Sequence, residues 1–577
     1  MSSSHFTPLS KLPAWLVSGI LCGLAHPLWM GVPTGFLMWF ALVPLLWDMR
    51  EPLIFKQYFF KIYPFLLVQG GIFGTFVMFS GFGKWLFSYI NQPLLMTLPF
   101  LLFYPFLKKL GWRKSMIAFP FVWTVGEWLL HLTPHYFQLA SFAPSQISVL
   151  WFAQIADIFG MWGITFWLCL VNVSIALTID KIALNFPKVS NFWKVETLIP
   201  PLSIFLKKWA FQGILLFGLP LAYAFWSNLN LPDGQKIKVA LVQTNENSYA
   251  EVDSAAFEQR IQTVIRLANE AAKTEPDLIV LPESALPLPI LSNKSAFSML
   301  RYYVGNWNAS LAVGFPDYPD STNHNQLYNS ALVFTPQLAQ EWDKLGVPTS
   351  ELKVYRKQNP LPFMEFMPYV DWFGFKNIVG LNGTEILRGS ENHVFTFPDS
   401  YGNAIKTSAT ICWEQQFPET QAALTETGAQ FLCQMNNDGW FGNSTGQAFL
   451  LNMNRLRAIE NRRTIARASN TGISTFIDPY GRLYNTIQTN IETIGTGEVY
   501  LNSELTLFTQ YKNWFPKLCF IVSVLIFLIT FKFKKKCFIH GVLCPFYAFS
   551  ILLFLLLVVK RVVGLIVQLL VMLHQSE

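Results

Sequence analysis

Residues 277–283 read DLIVLPE and residues 406–414 read KTSATICWE, and these two stretches decide the fold of the polar part of the chain. Each is a run of apolar, mostly β-branched residues closed by a chemically active side chain, Glu283 in one and Cys412 in the other. A run that is apolar without alternation suits a strand covered on both faces. Open α/β sheets present their ligand-binding groups at the carboxyl ends of such strands. Four more runs of the same kind follow the pattern: VALVQT (239–244), SLAVGF (310–315), SALVFT (330–335) and AQFLCQM (429–435). Between the first pair of strands, residues 251–273 begin acidic, end basic and space their apolar residues at i, i+3 and i+4, which predicts an amphipathic helix. A second helix is expected over 446–467, carrying Arg455, Arg457, Glu460, Arg462 and Arg463 and held by ion pairs to Glu460 and its neighbours. Buried strands alternating with such helices predict a layered α/β sandwich.

Outward from this core the composition changes. The 577 residues are 52% hydrophobic, 16% aromatic and only 13% charged, with a mean hydropathy of +0.34. Soluble chains carry about a quarter charged residues, so an ordinary soluble enzyme, a disordered chain and a fibrous repeat are excluded. Three zones follow: residues 1–230 apolar, 235–510 rich in Asp, Glu and Asn, and apolar again from 512. A membrane span takes about 20 apolar residues. Seven spans are expected in the first zone, near 13–30, 31–48, 60–81, 86–107, 115–132, 150–180 and 209–227, and an eighth at 512–535, near 514–531. The segment 536–577 is an apolar tail interrupted by Lys560 and Arg561, which fits a ninth helix or an interfacial hairpin. The N-terminal MSSSHFTPLSKLP lacks the small-residue exit site of a cleaved signal, so the first apolar run is expected to be retained.

Basic clusters follow the second span (Arg50, Lys56), the fourth (Lys108, Lys109, Arg113, Lys114), the sixth (Lys181, Lys188, Lys194, Lys207, Lys208) and the eighth (Lys532, Lys534, Lys535, Lys536). By the positive-inside rule all four are cytoplasmic, which puts the polar domain on the opposite side. The net charge of +7 is accounted for by these loops, so no nucleic-acid partner is expected. Of the seven cysteines only Cys412 and Cys433 lie in the polar zone, and no CxxC or Cys/His cluster points to a metal or a disulfide framework. Cys433 reads as a buried strand residue. Glu127 and His131 fall inside an expected span, where ionisable groups are costly, and read as hydrogen-bonded bundle residues.

Three residues of the polar zone make chemical sense together: Glu283, Lys357 in VYRKQNPLPFMEF, and Cys412. A thiolate attacks acyl carbon, but an ordinary thiol is mostly protonated at neutral pH. A neighbouring ammonium lowers that barrier, a carboxylate takes the proton, and the ammonium stabilises the oxyanion that forms. Covalent acyl transfer then needs neither His, metal nor cofactor.

The words around these residues, LPESALP, YRKQNPLPFMEFMP, ICWEQQF and NNDGWFGNSTGQ followed by RLRAIENRRTIARASNTGIS, resemble the nitrilase (carbon–nitrogen hydrolase) superfamily. With GLAHPLW, GEWL (126–129) and QIADIFGMWGITFW (154–167) in the apolar zone, residues from about 13 to 531 resemble the apolipoprotein N-acyltransferase family. The resemblance implies a polytopic α-helical membrane domain joined to a nitrilase-like αββα sandwich. It implies Glu283 as general base, Lys357 as oxyanion stabiliser and Cys412 as nucleophile, with Glu365, Glu414 and Trp413 in support. On an extended strand residues 412 and 414 share a face, which would turn Glu414 toward the site. The implied partners are a glycerophospholipid acyl donor and the diacylglyceryl-cysteine of an apolipoprotein as acceptor, at the bacterial inner membrane with the catalytic domain periplasmic. Asn359, Pro360, Met364 and Phe366 depart from the family's His, Leu, Gly and Tyr, and the tail beyond about 535 has no family counterpart. The loss of glycine at 364 bears on the shape of the loop before Glu365. Two other readings stand beside this one: a membrane-tethered amidase hydrolysing a small amide, and a transporter or scaffold whose polar domain only binds.

Overall fold

The computed structural model describes residues 12–27, 31–133, 141–185, 211–229, 234–248, 254–319, 325–345, 352–362, 364–366 and 385–531. The expected tail after 535 and most of the basic residues of the sixth and eighth clusters lie outside them.

Two mixed sheets stack face to face. The first runs β13 (Thr493–Tyr500), β1 (Lys236–Gln243), β2 (Leu278–Val280), β3 (Ser310–Asp317), β4 (Gln326–Phe334) and β5 (Tyr355–Arg356), with β6 (Glu385–Ile386) also on β4. The second runs β12 (Leu483–Ile487), β11 (Ser474–Ile477), β10 (Ile465–Ser469), β9 (Phe431–Asn436), β8 (Ala404–Ile411) and β7 (Phe395–Pro398). Each has a parallel centre, β1-β2-β3 and β8-β9-β10, flanked by antiparallel partners. The centres are buried on both faces, which is why these strands read as unbroken apolar runs. One core joins the sheets, from Val239, Ile279 and Val313 on one side to Ala409, Cys433 and Ala466 on the other. The helix Ser254–Ala272 covers the first sheet, while Pro418–Glu426 and Thr445–Asn461 cover the second. The layered sandwich expected from the strand pattern is therefore present, in the αββα order that the family resemblance implies.

The second expected helix is shorter than the 446–467 of its pattern. It stops at Asn461, where Arg462 takes a left-handed conformation (φ 47°), and residues 465–469 form β10. Two buried ion pairs account for the misleading charge: Arg467 Nη2 lies 2.6 Å from Asp438 Oδ2, and Arg457 Nη2 donates to Glu460 Oε1 at 3.1 Å. Paired in this way, arginines occupy an interior that the sequence pattern assigns to an exposed face.

Among the described residues three helices are long and apolar enough to cross a membrane, Phe55–Phe79, Ser88–Leu110 and Ala156–Ala183. The other expected spans are shorter helices: Ala14–Ala25, Thr34–Asp48, Phe119–His131, Leu219–Leu229 and Trp514–Thr530. The stretch near 31–48 is broken by Pro33 and Pro44 into a 3₁₀ turn (Thr34–Trp39) and a six-residue helix (Val43–Asp48). Within Ala156–Asn185, Gly160 adopts φ 65°, and the Phe508 ring lies 2.6 Å from where a Cβ would stand, so only glycine fits there. The bundle is anchored internally by Glu127, which accepts from Trp123 Nε1 (2.9 Å) and Thr165 Oγ1 (3.0 Å). Its far end is tied by Asp180, which accepts from Arg113 Nε at 2.5 Å and lies 3.6 Å from Arg50.

The bundle meets the domain through charge and packing. His131 Nε2 and Glu419 Oε2 are 2.8 Å apart, Arg462 Nη2 reaches Asp157 Oδ2 at 2.7 Å, and Met161 N–H donates to Glu460 Oε1 at 2.9 Å. Phe73 and Phe76 pack with Trp413, Phe449, Leu450 and Met453 in one buried cluster.

Candidate active site

The site forms where strand ends from both sheets converge. Glu283 follows β2, Lys357 follows β5, and Cys412 opens a 3₁₀ turn (Cys412–Gln416) directly after β8. Glu283 is 8% exposed and Lys357 is fully buried. Lys357 Nζ donates to Glu365 Oε1 at 2.8 Å and to Glu283 Oε1 at 3.4 Å, and Cys412 lines the same cavity as all three. Asn329 Nδ2, on β4, donates to the same Glu283 oxygen at 2.8 Å. The three residues singled out in the sequence, with Glu365, are thus brought into one cavity, where Lys357 pairs with both glutamates.

Cys412 is not the end of an extended strand. It sits at φ 50°, a left-handed conformation costing a side-chain-bearing residue about 1–2 kcal/mol. The turn folds Glu414 away from the cavity and beneath the loops that carry the site. Its Oε1 accepts from Tyr355 Oη (2.7 Å), Gln358 N–H (2.7 Å) and Asn359 N–H (3.2 Å), and its Oε2 from Ile411 N–H (2.9 Å). Glu414 therefore braces the cysteine turn against the lysine loop, and the shared-face expectation is corrected. Glu365 is similarly anchored, with Leu361 N–H donating to its Oε2 at 2.5 Å. Met364, in place of the family's glycine, lies in an ordinary turn closed by Glu365 N–H to Leu361 O (2.9 Å). Asn359 Nδ2 donates to Thr420 Oγ1 (2.8 Å), and the Arg388 guanidinium lies over the Phe366 ring. Trp413 is buried and faces Phe73 and Phe76 of the spanning helix. Cys433 is buried in β9, away from the lysine, with burial pushing its thiol up to about 12.

The electrostatics describe a resting site. Burial raises Glu283 above its usual range, against the pull of Lys357 and with a further push from Glu365. Burial also opposes the Lys357 charge, but Glu365 and Glu283 more than reverse this and hold the ammonium above its ordinary range. The Cys412 thiol is pushed well up, first by burial and then by Glu283, with Lys357 offsetting only part. The neighbouring ammonium lowers the thiol as expected, but burial and the carboxylates outweigh it. Cys412 rests as a thiol, in the same cavity as Glu283.

These groups lie in a cavity of about 490 Å³. Ala285, Pro287, Leu327, Met364, Ile386 and Trp440 contribute apolar wall, and Glu246, Arg260 and Asn470 contribute polar wall. Asn329 and Arg260 are residues that sequence reasoning missed. The one signal for Asn329 is a polar side chain preceding the apolar run of QLYNSALVF, and Arg260 looks like any charge on an amphipathic helix.

A carboxylate, an ammonium and a thiol at the strand ends of an αββα sandwich, carried on apolar helices, mark a nitrilase-type domain mounted on a membrane bundle. Residues 238–504 match the carbon-nitrogen hydrolase family, and residues 18–174 match the apolipoprotein N-acyltransferase N-terminal domain. The chain is 30% identical to the apolipoprotein N-acyltransferase of Chlorobaculum tepidum over 545 residues, covering 89% of this chain and 95% of that protein. Its identity to the Geobacter metallireducens apolipoprotein N-acyltransferase is 26% over 532 residues, covering 90% and 95%. For the Haemophilus ducreyi enzyme of that name it is 28% over 417 residues, covering 70% and 74%. The chain belongs to the apolipoprotein N-acyltransferase family, and its activity is N-acyl transfer in lipoprotein maturation. Similarity across bundle and domain together weighs against the tethered amidase and against the transporter or scaffold.

Proposed function

We propose that the enzyme takes an acyl chain from a glycerophospholipid onto Cys412 as a thioester and passes it to the amino group of an apolipoprotein's diacylglyceryl-cysteine. The observation that carries this reading is that Cys412, Glu283 and Lys357 line one cavity, whose wall also includes Trp413, a residue packed against Phe73 and Phe76 of the spanning helix. Glu283 takes the thiol proton as sulfur attacks the ester carbonyl, and Lys357 stabilises the oxyanion. Collapse breaks the ester C–O bond, and Glu283 returns the proton to the departing lysophospholipid oxygen. In the second half the neutral amine attacks the thioester, Glu283 takes its proton, the C–S bond breaks, and the thiolate regains a proton from Glu283. One site serving two substrates in turn gives ping-pong kinetics.

Both substrates are lipids, which gives a physical reason to mount the site on a membrane bundle. The ties from Arg50 and Arg113 to Asp180 gather basic loops at the end of the bundle away from the His131–Glu419 joint. With that basic end cytoplasmic, the catalytic domain faces the periplasm from the inner membrane.

Isolated acyl-enzyme tests the second half-reaction. It is expected to persist in buffer and to discharge within minutes onto a diacylated lipopeptide bearing a free amine. Discharge to water at the same rate with or without the lipopeptide would restore the amidase.

A further inference from the structure

We propose that Arg260 binds the phosphate of the acyl donor and so seats the scissile ester over Cys412. Arg260 lies on the helix Ser254–Ala272, and its side chain lines the same cavity as Glu283, Lys357 and Cys412. It is the second cation among the described residues of that lining. The first, Lys357, is engaged by Glu365 and Glu283. Arg260 has a looser partner: its Nε stands 3.7 Å from Glu246 Oε2, beyond hydrogen-bond reach. Both side chains are mostly buried, 20% and 26% exposed, yet both border open space.

Glu246 is held in place, since its N–H donates to Asn470 Oδ1 (2.7 Å) and its carbonyl accepts from Asn470 Nδ2 (2.8 Å). The carboxylates of the lining are Glu246, Glu283 and Glu365, so an anionic headgroup entering this cavity meets repulsion unless a cation receives it. A guanidinium presents a planar fork that pairs two phosphate oxygens at once, and a partly buried site weakens solvent screening of that contact. Glu246 is then the counter-ion of Arg260 that the incoming phosphate replaces.

The inference rests on the phospholipid-donor reading, and the test separates the two. Acylation of Cys412 is followed by intact-protein mass spectrometry on the full chain in detergent. One donor is dipalmitoyl phosphatidylglycerol, and the other is p-nitrophenyl palmitate, which carries the acyl chain without phosphate. The measured quantity is the half-saturating concentration of the phospholipid relative to that of the phosphate-free ester. Arg260→Gln is expected to raise this ratio about tenfold, as one charge-assisted contact is lost. Arg260→Lys should raise it less, and Glu246→Gln should lower it by removing the competing carboxylate. An unchanged ratio in Arg260→Gln, with wild type accepting both donors, overturns the phosphate assignment and leaves the donor reading intact. A ratio that rises in Glu246→Gln as it does in Arg260→Gln marks the pair as structural and also overturns it. If wild type accepts the phosphate-free ester but not the phospholipid, the donor reading falls and this inference with it.

Discussion

At the scale of single residues the proposed chemistry turns on a thiol that burial keeps neutral. The Cys412 thiol and Glu283 are both raised, so in the proposed mechanism the attacking sulfur forms as the proton passes to Glu283. The base must be a carboxylate, and its protonation point lies above the ordinary glutamate range. Acylation is therefore expected to be full at high pH and to fall as pH drops through that raised value. Lys357 is held above its usual range and adds no alkaline loss below it. A single-turnover pH profile by mass spectrometry checks this, and Glu283→Gln should be slow at every pH. The left-handed turn at Cys412 depends on Glu414, whose carboxylate accepts from four donors. Glu414→Ala should slow acylation at least tenfold and lower stability by about 2–3 kcal/mol, since its donors are left buried without an acceptor. Thermal melting in detergent reads the second effect.

At the scale of elements the catalytic domain depends on buried ion pairs beneath the active-site loops. Arg467, on β10, reaches Asp438 after β9 at 2.6 Å and Asn454 on the covering helix at 2.9 Å, and both members of the ion pair are fully buried. Arg467→Ala strands the Asp438 charge and should destabilise the protein by about 3–5 kcal/mol, read as a lowered melting temperature. The same pair explains where sequence reading stopped short. The six long apolar runs were legible as strands because burial on both faces leaves a plain signature. β10 was not, because Arg467 looks exposed until its partner is known. β5 and β6, of two residues each, carry too little pattern to see at all. The candidate site was legible as a set of residues that the fold brings together, since Glu283, Lys357 and Cys412 each stand at or just past a strand end. The orientation of Glu414 was illegible because it depends on the φ of Cys412, a backbone choice no residue type announces.

At the scale of the whole molecule the bundle and the domain act as one device. Gly446 opens the helix that covers the second sheet, and a Cβ there would stand 2.7 Å from the Phe76 ring of the spanning helix. Gly446→Val should push that helix off the domain and slow acylation from membrane phospholipid severalfold, measured in reconstituted vesicles. The central claim is that Cys412 carries the acyl chain between a membrane lipid and a polypeptide amine. Its most direct test is intact-protein mass spectrometry of the detergent-purified enzyme incubated with phospholipid, wild type beside Cys412→Ala. The account predicts one fatty-acyl mass increment on wild type only, removed by neutral hydroxylamine and by a diacylated lipopeptide. An increment that survives in Cys412→Ala, or wild type left unmodified by several phospholipids, would contradict it.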